Sequence, residues 1–363
     1  MMSIDRIVAR NDFSPEEIAV LLRAANPEDI ETIRVEAERV LLQTCGSEVY
    51  YRGLIEFSNY CRMDCLYCGI RKSMHEVDRY ELTFDEIIQS AKWCADQGYG
   101  SVVLQSGERN DERFISFVEC VVAEIKRSTV SEKLPDGLGI TLCVGEQTRE
   151  TYTRFREAGA HRYLLRIETS NPSLFATIHP SSQKYSSRVQ CLKTLREVGF
   201  QVGTGVMIGL PGQSIEHLAD DVRFFRDMDI DMIGMGPFIP HAATPLGRET
   251  VPDEDSRIRL ALLMIAVCRI VLKDVNIAAT TALQALDPHG REKGLRHGAN
   301  VIMPQLTPLE VRKNYLLYEN KPCVDENAVQ CRGCLEARIG SVDRTIGYNQ
   351  WGDSRHFFNR TAV

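Results

Sequence analysis

The chain has 363 residues, 44% apolar and 26% charged, the proportions of a soluble globular protein. A net charge of −7 and a pI near 5.7 argue against a general binder of nucleic-acid phosphates. The most apolar stretch, RLALLMIAVCRIVLK, is interrupted by arginine, and the N-terminal MMSIDRIVARNDFS has no signal-peptide core. No membrane association and a cytoplasmic location are therefore expected.

In chain order, residues 1–48 read as helices: FSPEEIAVLLRAAN, then PEDIETIRVEAERVLLQTC with Pro27 at a helix start. Eight β-rich runs follow: 51–59, 100–107, 138–145, 161–169, 200–209, 231–238, 276–282 and 299–304. Helical patterns separate them. TFDEIIQSAKWCADQG has a Thr83 cap, Glu86 three residues on and a terminal glycine. RETYTRFREAGA, SRVQCLKTLREVGF and IEHLADDVRFFRDMDI behave alike. Strands that are almost continuously apolar and alternate with helices predict a parallel sheet with helices outside. The count predicts an α/β fold, a complete (β/α)8 TIM-type barrel over 49–305. An open doubly wound sheet is the alternative. Residues 306–363 read as an irregular C-terminal extension without a clear strand, ending in an aromatic, polar tail.

Strand parity suggests what lines such a barrel. In the fifth run Gly203, Gly205 and Gly209 share a face with Met207; in the sixth, Gly234 and Gly236 oppose Ile233 and Met235. Same-face glycines mark either tight packing against outer helices or an interior hollowed for a ligand. In HRYLLRIET the apolar face of Tyr163, Leu165 and Ile167 suits the helical layer, so Arg166 and Glu168 point inward. Buried charges are costly unless paired or ligand-facing, which leaves a structural Arg–Glu pair or a ligand site.

Twelve cysteines in a cytoplasmic protein are not a disulfide framework. Cys45, Cys94, Cys120, Cys143, Cys191 and Cys268 are scattered among apolar neighbours and read as small core residues. The others form two groups, Cys61/Cys65/Cys68 and Cys323/Cys331/Cys334. The first has C-x3-C-x2-C spacing directly after the first strand, at the end where barrels place their chemistry. Thiolate sulfur favours zinc or an iron–sulfur cluster. Zinc needs a fourth ligand, for which His75 is the one nearby candidate. A 4Fe-4S cube on three cysteines leaves one iron open to a small molecule.

EFSNYCRMDCLYCG resembles the cysteine motif of the radical S-adenosylmethionine (SAM) superfamily, in which the open iron is chelated by SAM. Two further stretches match in order: QSGE (105–108) and GVMIGLPGQS (205–214). RYLLRIETSNP, GMGPFIPHAATPL, IAATTA and GANVIMPQLTP extend the likeness to the HydE family of FeFe-hydrogenase maturases over about residues 50–335. Biotin synthase and methylornithine synthase share the barrel and match these later motifs less closely.

The resemblance implies that Cys61, Cys65 and Cys68 hold the catalytic 4Fe-4S cluster and that Tyr67 fills the aromatic place before the last cysteine. It implies SAM contacts at Gln105, Glu108, Cys143, Glu168 and Arg188, and a substrate region near Arg166, Thr280 and Met303. Thr281 adjoins Thr280, and in a regular strand only one of them lines the cavity; Tyr315 and Tyr318 are candidates to close the barrel's bottom. Cys323, Cys331 and Cys334 match the spacing of an auxiliary iron–sulfur cluster seen in some members, the alternative being unliganded thiols.

The implied activity is reductive SAM cleavage to a 5′-deoxyadenosyl radical acting on a cysteine-bound iron carbonyl–cyanide precursor. The implied partners are companion maturases and an electron donor such as ferredoxin or flavodoxin. Two other readings stand beside it. One is a radical SAM enzyme acting on an amino acid or thiol-containing small molecule. The other is a non-catalytic iron–sulfur carrier, which predicts a fourth protein ligand on the first cluster.

Overall fold

Three helices precede the first strand in the computed structural model, which describes residues 3–361; residues 1–2 and 362–363 lie outside the described residues. The helices span Ile4–Val8, Pro15–Leu22 and Pro27–Thr44. Ser14 and Glu17 form a reciprocal capping box, and Asn26 caps the third helix with Pro27 in its first turn. That helix buries Ile33, Ala37, Val40 and Leu41, an i, i+4, i+7, i+8 stripe, against the core.

Eleven strands are present among the described residues: β1 (Glu48–Ser58), β2 (Ser101–Ser106), β3 (Gly139–Cys143), β4 (Arg162–Leu164), β5 (Gln201–Thr204), β6 (Met207–Ile208), β7 (Met232–Ile233), β8 (Gly236–Pro237), β9 (Asn276–Ile277), β10 (Val301–Ile302) and β11 (Thr345–Ile346). The main ladder runs β10-β1-β2-β3-β4-β5-β7-β9 and every named pair in it is parallel. The eight sequence runs therefore take the eight positions in order, as an α/β curled parallel sheet wrapped by helices.

The complete barrel expected from the sequence is corrected: the eight-stranded parallel sheet curls into a partial barrel whose strand ladder does not close. The ladder is not continuous between β9 and β10. There the two ends meet through an isolated bridge, Ala278 to Val301, with Asn300 N donating to Ile277 O and Ala279 N to Val301 O, both at 2.9 Å. The later strands are also far shorter than their apolar runs. β5 and β6 are separated at Gly205–Val206, β7 and β8 at Gly234–Met235, and the chain after β9 turns into a helix at Thr281. Glycine and a threonine cap weaken extended pairing where the chain bends inward over the cavity.

Helix ends follow the sequence signals. Thr83 and Glu86 form the expected capping box, and Ser214 and Thr148 cap the helices Ile215–Asp227 and Arg149–Glu157. The helix Glu254–Leu272 is buried almost all round, and no described helix is long and apolar enough to cross a membrane. Cys45, Cys94 and Cys268 are buried as expected, but Cys120 is exposed and Cys143 and Cys191 are half-buried. Cys120 lies on the outer face of the helix Glu112–Ser128, whose apolar stripe is instead Phe114, Ile115, Val118, Val121, Val122 and Ile125.

The C-terminal extension is more ordered than its sequence suggests. It holds the helix Ala328–Gly340, and β11, missed as a strand, pairs in parallel with the start of β1. Residues 351–354 then cross the N-terminal ends of the barrel strands. Arg52 and Asn276 donate to Gly352 O, Ser101 Oγ to Trp351 O, and Ser354 N to Gln201 Oε1. Fully buried Arg162 donates to Trp351 O and to Asp353, and His161 Nε2 lies 3.0 Å from the same carboxylate. Lys126 lies 4.2 Å from the Trp351 ring centroid. The tail thus seals the end of the barrel opposite the cysteine loop.

Removing one partner of a buried ion pair leaves a desolvated charge. Asp353→Ala is expected to lower unfolding stability by about 3–5 kcal/mol, read by chemical denaturation. Stability is also expected to depend on pH. Burial pushes His161 and His297 down to about 4 and His179 down to about 3, so all three are neutral when folded and protonate more readily when unfolded. Their contribution is complete above the unfolded pKa of about 6.5 and is lost as pH falls towards 4. His356, held between Asp274 and Asp229, is raised, and burial raises Asp221 to about 7 and also raises Asp231; these three act in the opposite sense and offset part of the loss. The melting temperature is therefore expected to fall progressively between about pH 6.5 and 4 in a scanning calorimetry series.

Candidate active site

The loop after β1 is fixed by groups other than its thiols. Arg79 donates to four carbonyls, those of Asn59, Ile70, Arg71 and Met74, at 2.6–2.9 Å. Buried Asn59 donates to Asp78 O and Asn314 O and accepts from Tyr80 N. Asp64 accepts from Arg71 Nε and from the backbone and hydroxyl of Ser73. Each such bond uses a charged or fully buried polar group, which makes the loop's shape expensive to change.

Within this frame Cys61 and Cys68 line the barrel cavity. Cys61 Sγ accepts from Met63 N and Glu108 N, both at 3.4 Å, and Cys65 Sγ lies 3.5 Å from Gln183 Oε1. Burial pushes all three thiols up, Cys65 to about 12, so metal loading must displace protons. Backbone N–H groups pointing at sulfur favour the thiolate once a metal is present.

The donor set fits an iron–sulfur cluster better than zinc. Among the described residues, the group of three or more ligands gathered within 4.8 Å is Cys323, Glu326 and Cys331, not the three loop cysteines. A single zinc ion at bonds of about 2.3 Å needs its sulfurs closer than that. His75 is exposed, and His179 is already committed. Its Nδ1 faces Phe175 O at 2.9 Å and its Nε2 faces the Tyr67 hydroxyl at 3.2 Å.

The cavity, of about 310 Å³, runs from the cysteine loop into the barrel and gathers nearly all the anticipated residues: Tyr67, Gln105, Glu108, Cys143, Arg166, Glu168, Arg188, Thr280 and Met303. Strand register explains part of this. Glu56, Gln105 and Cys143 are successive neighbours across β1, β2 and β3 and all face inward. Glu168 has a φ of +64°, a strained setting for a side-chain-bearing residue. The kink turns its carboxylate back on Arg166, whose Nε and Nη2 donate to it at 2.9–3.1 Å. The inward-facing pair anticipated from strand parity is thus both an ion pair and part of the cavity wall.

Glu108 sits under a second cation cluster. It accepts from Arg62 through Oε1 at 3.0–3.1 Å and from Glu146 N through Oε2 at 3.0 Å. Arg188, 6% exposed, donates through Nε to Glu146 at 2.6 Å and also to Arg166 O, and its Nη2 lies 3.9 Å from Glu108. Gly145 has a φ of +83°, and a Cβ there would lie 2.1 Å from Glu108 Cγ. Burial pushes Cys143 up to about 12, which keeps it a neutral thiol in the wall.

The same-face glycines divide between the two readings: Gly203, Gly205 and Gly209 pack closely against Met232, Gly234 and Arg257, whereas those of the sixth run leave space for the cavity. Gly234 and Gly236 line the cavity beside Met207, and a Cβ on Gly236 would lie 2.6 Å from Thr280 Oγ1. Thr280 and Thr281 both line it, against the expectation of one, because Thr280 ends the extended segment and Thr281 opens a helix. Thr281 Oγ1 lies 2.7 Å from the Tyr318 hydroxyl. Tyr315 and Tyr318 do line the cavity, but as a lid above β1, since Gly69 N in the cysteine loop donates to Leu317 O between them. The bottom is closed by residues 351–354 instead.

The second cysteine group is only partly assembled. Cys323 and Cys331 adjoin Glu326, whereas Cys334 is exposed and faces Arg338 Nε at 3.3 Å.

Sequence reasoning missed Arg62, Arg79, Glu146, His179 and Gln183, and the Glu56–Lys321 pair inside the cavity. Arg62 and Glu146 are adjacent to quoted motifs, so proximity to Cys61 and Gly145 is a usable signal. Lys321 has none, because it reaches Glu56 from 265 residues away.

The Radical SAM superfamily profile matches residues 55–225. The chain is 41% identical over 350 residues to the FeFe hydrogenase maturase subunit HydE of Thermotoga maritima, covering 96% of each. It is 26% identical to 3-methylornithine synthase of Methanosarcina acetivorans, covering 86% of this chain and 85% of that one. In fold it is similar to the solved methylornithine synthase PylB, with a TM-score of 0.77 over 100% of both chains at 22% identity.

Replacing Gly145 by alanine is expected to push Glu108 out of place. SAM-dependent 5′-deoxyadenosine release should fall about 100-fold, as for an ångström-scale misplacement, while iron content after reconstitution stays at the wild-type level.

Proposed function

We propose for this chain, which belongs to the radical SAM superfamily and within it to the HydE family, the role of an FeFe-hydrogenase maturase acting on a cysteine-bound iron carbonyl–cyanide complex. The observation that carries the reading is likeness to a HydE over almost the whole of both chains, joined to a cavity that has Cys61 and Cys68 of the three-cysteine loop at its rim and a polar wall beyond.

When bound, a 4Fe-4S cluster with SAM on its open iron supplies one-electron cleavage of the sulfonium to a 5′-deoxyadenosyl radical. Cys61, Cys65 and Cys68 would hold that cluster. At the rim, the Glu108 and Glu168 carboxylates offer acceptors for ammonium and ribose hydroxyls, with Gln105 on the adjoining strand. Arg188 offers a guanidinium fork to a carboxylate, steadied by Glu146. Tyr67 packs against the apolar cluster of Leu174, Ile178, Leu210, Phe238 and Leu246 and fixes the loop's inner edge. Further in, Arg166, Thr280 and Met303 face the substrate. Its sulfur would be the atom attacked, leaving a reduced iron species.

The lid around Tyr315 and Tyr318 and the plug at 351–354 keep water from a reactive carbon centre, which is the fold's main contribution besides orientation. A companion maturase would supply the complex, and ferredoxin or flavodoxin the electron. Cys323 and Cys331, with Cys334 after a local rearrangement, would take an auxiliary cluster that the reaction does not require.

The test is anaerobic reconstitution followed by dithionite, SAM and the iron complex. Release of 5′-deoxyadenosine and consumption of the complex are expected in the wild type, lost in Cys65→Ala and largely kept in Cys331→Ala. A fully iron-loaded wild type that does not cleave SAM would defeat the enzymatic reading.

A further inference from the structure

The cavity contains a second ion pair that none of the roles above uses. Lys321 and Glu56 both line it, their side chains 6% and 2% exposed, with Lys321 Nζ 2.5 Å from Glu56 Oε1. Lys321 comes from the lid and Glu56 from β1, in the same register row as Gln105 and Cys143. The geometry points to Lys321 as a substrate-positioning residue, held by Glu56, whose ammonium binds a compact anionic acceptor group of the substrate. This rests on the maturase reading and extends it to a named polar end of the cavity.

The argument is one of unused donors. An ammonium has three N–H donors. Lys321 gives one to Glu56 and one to Tyr315 O at 3.0 Å, which leaves a third for the cavity that it lines. Glu56 is itself orientated, because its other oxygen accepts from Gln305 Nε2 at 2.6 Å. The Tyr315 hydroxyl accepts from Gln105 Nε2 at 3.4 Å, and its own proton has no acceptor among the described residues. Two donors thus converge where a wholly apolar ligand would leave both unpaired. A salt bridge costs desolvation that an apolar contact between lid and wall would not, so closure alone does not account for it.

The chemistry also separates Lys321 from Arg166. Arg166 spends its Nε–Nη2 edge on Glu168 and keeps Nη1 for a substrate carboxylate, whereas the Lys321 ammonium is a point charge suited to a small acceptor such as the nitrogen of a metal-bound cyanide. Arg166 and Lys321, two of the three cations lining this cavity of about 310 Å³, can then fix both the amino-acid part and the diatomic ligands of a single substrate.

The experiment uses the full-length, cluster-loaded protein with SAM and a synthetic cysteine-bound iron dicarbonyl cyanide complex. Infrared spectra of the bound complex and steady-state kinetics are compared for the wild type, Lys321→Arg and the double variant Glu56→Gln/Lys321→Met. The double variant removes both charges together, so that no carboxylate is stranded. The double variant should shift the cyanide stretching band and raise KM for the complex about tenfold or more, with a smaller change in kcat, and Lys321→Arg should recover part of the KM. An unchanged cyanide band and KM in the double variant would overturn the proposal while leaving the maturase reading intact. A wild type that cleaves SAM but does not bind the complex would overturn the maturase reading and the proposal with it.

Discussion

A loop whose three thiols are proposed to hold a metal cluster cannot also use them to hold its own shape. That constraint organises the top of this molecule. The work falls to Arg79, whose guanidinium gathers four loop carbonyls, and to Asn59 and Asp64, which fix the loop at its start and middle. The lid then rests on the loop through Gly69 and Leu317, and the wall of β2 meets it where Arg62 N donates to Glu108 O. The cavity's position under the thiols follows from these contacts rather than from the sheet alone.

The second theme is buried charge. Arg166, Glu168, Arg188, Glu108, Glu56 and Lys321 stand around one interior space, with Glu146 paired to Arg188 beside it, and most of these pairings are between residues far apart in sequence. Isolated charges there would be untenable, and even paired ones contribute little to folding. A protein that keeps them in its interior retains them for what enters. The opposite end of the barrel shows the contrasting use: Arg162, His161 and Asp353 are tied to one another and to backbone carbonyls and close the structure off. One end of the barrel turns charge towards a cavity and the other uses charge as a stopper.

How much of this could be read from sequence depended on the range of the interaction. Local signals carried well: the Thr83/Glu86 capping box and the eight apolar runs reappear, and Arg166 and Glu168 line the cavity, though beyond the end of β4 and through the kink at Glu168 rather than by strand parity. Strand lengths did not, because apolarity marks burial and not pairing; Leu165 and Ile167 are buried without lying in a named strand. The Thr280/Thr281 expectation failed because a strand rule was applied where a helix begins. The seam between β9 and β10, the plug at 351–354 and Lys321 were illegible, since each joins segments dozens to hundreds of residues apart and no local pattern announces them. Cys120 was misplaced because apolar neighbours in sequence are not neighbours on a helix face.

The account stands on three thiolates holding a cluster whose fourth iron is reserved for SAM. The most direct test is electron–nuclear double resonance on the reduced, reconstituted protein with SAM labelled at its amino nitrogen and carboxylate oxygen. Hyperfine coupling from both labels to the cluster is predicted. Absence of coupling in a fully loaded sample, with a fourth side chain found on the iron, would contradict it.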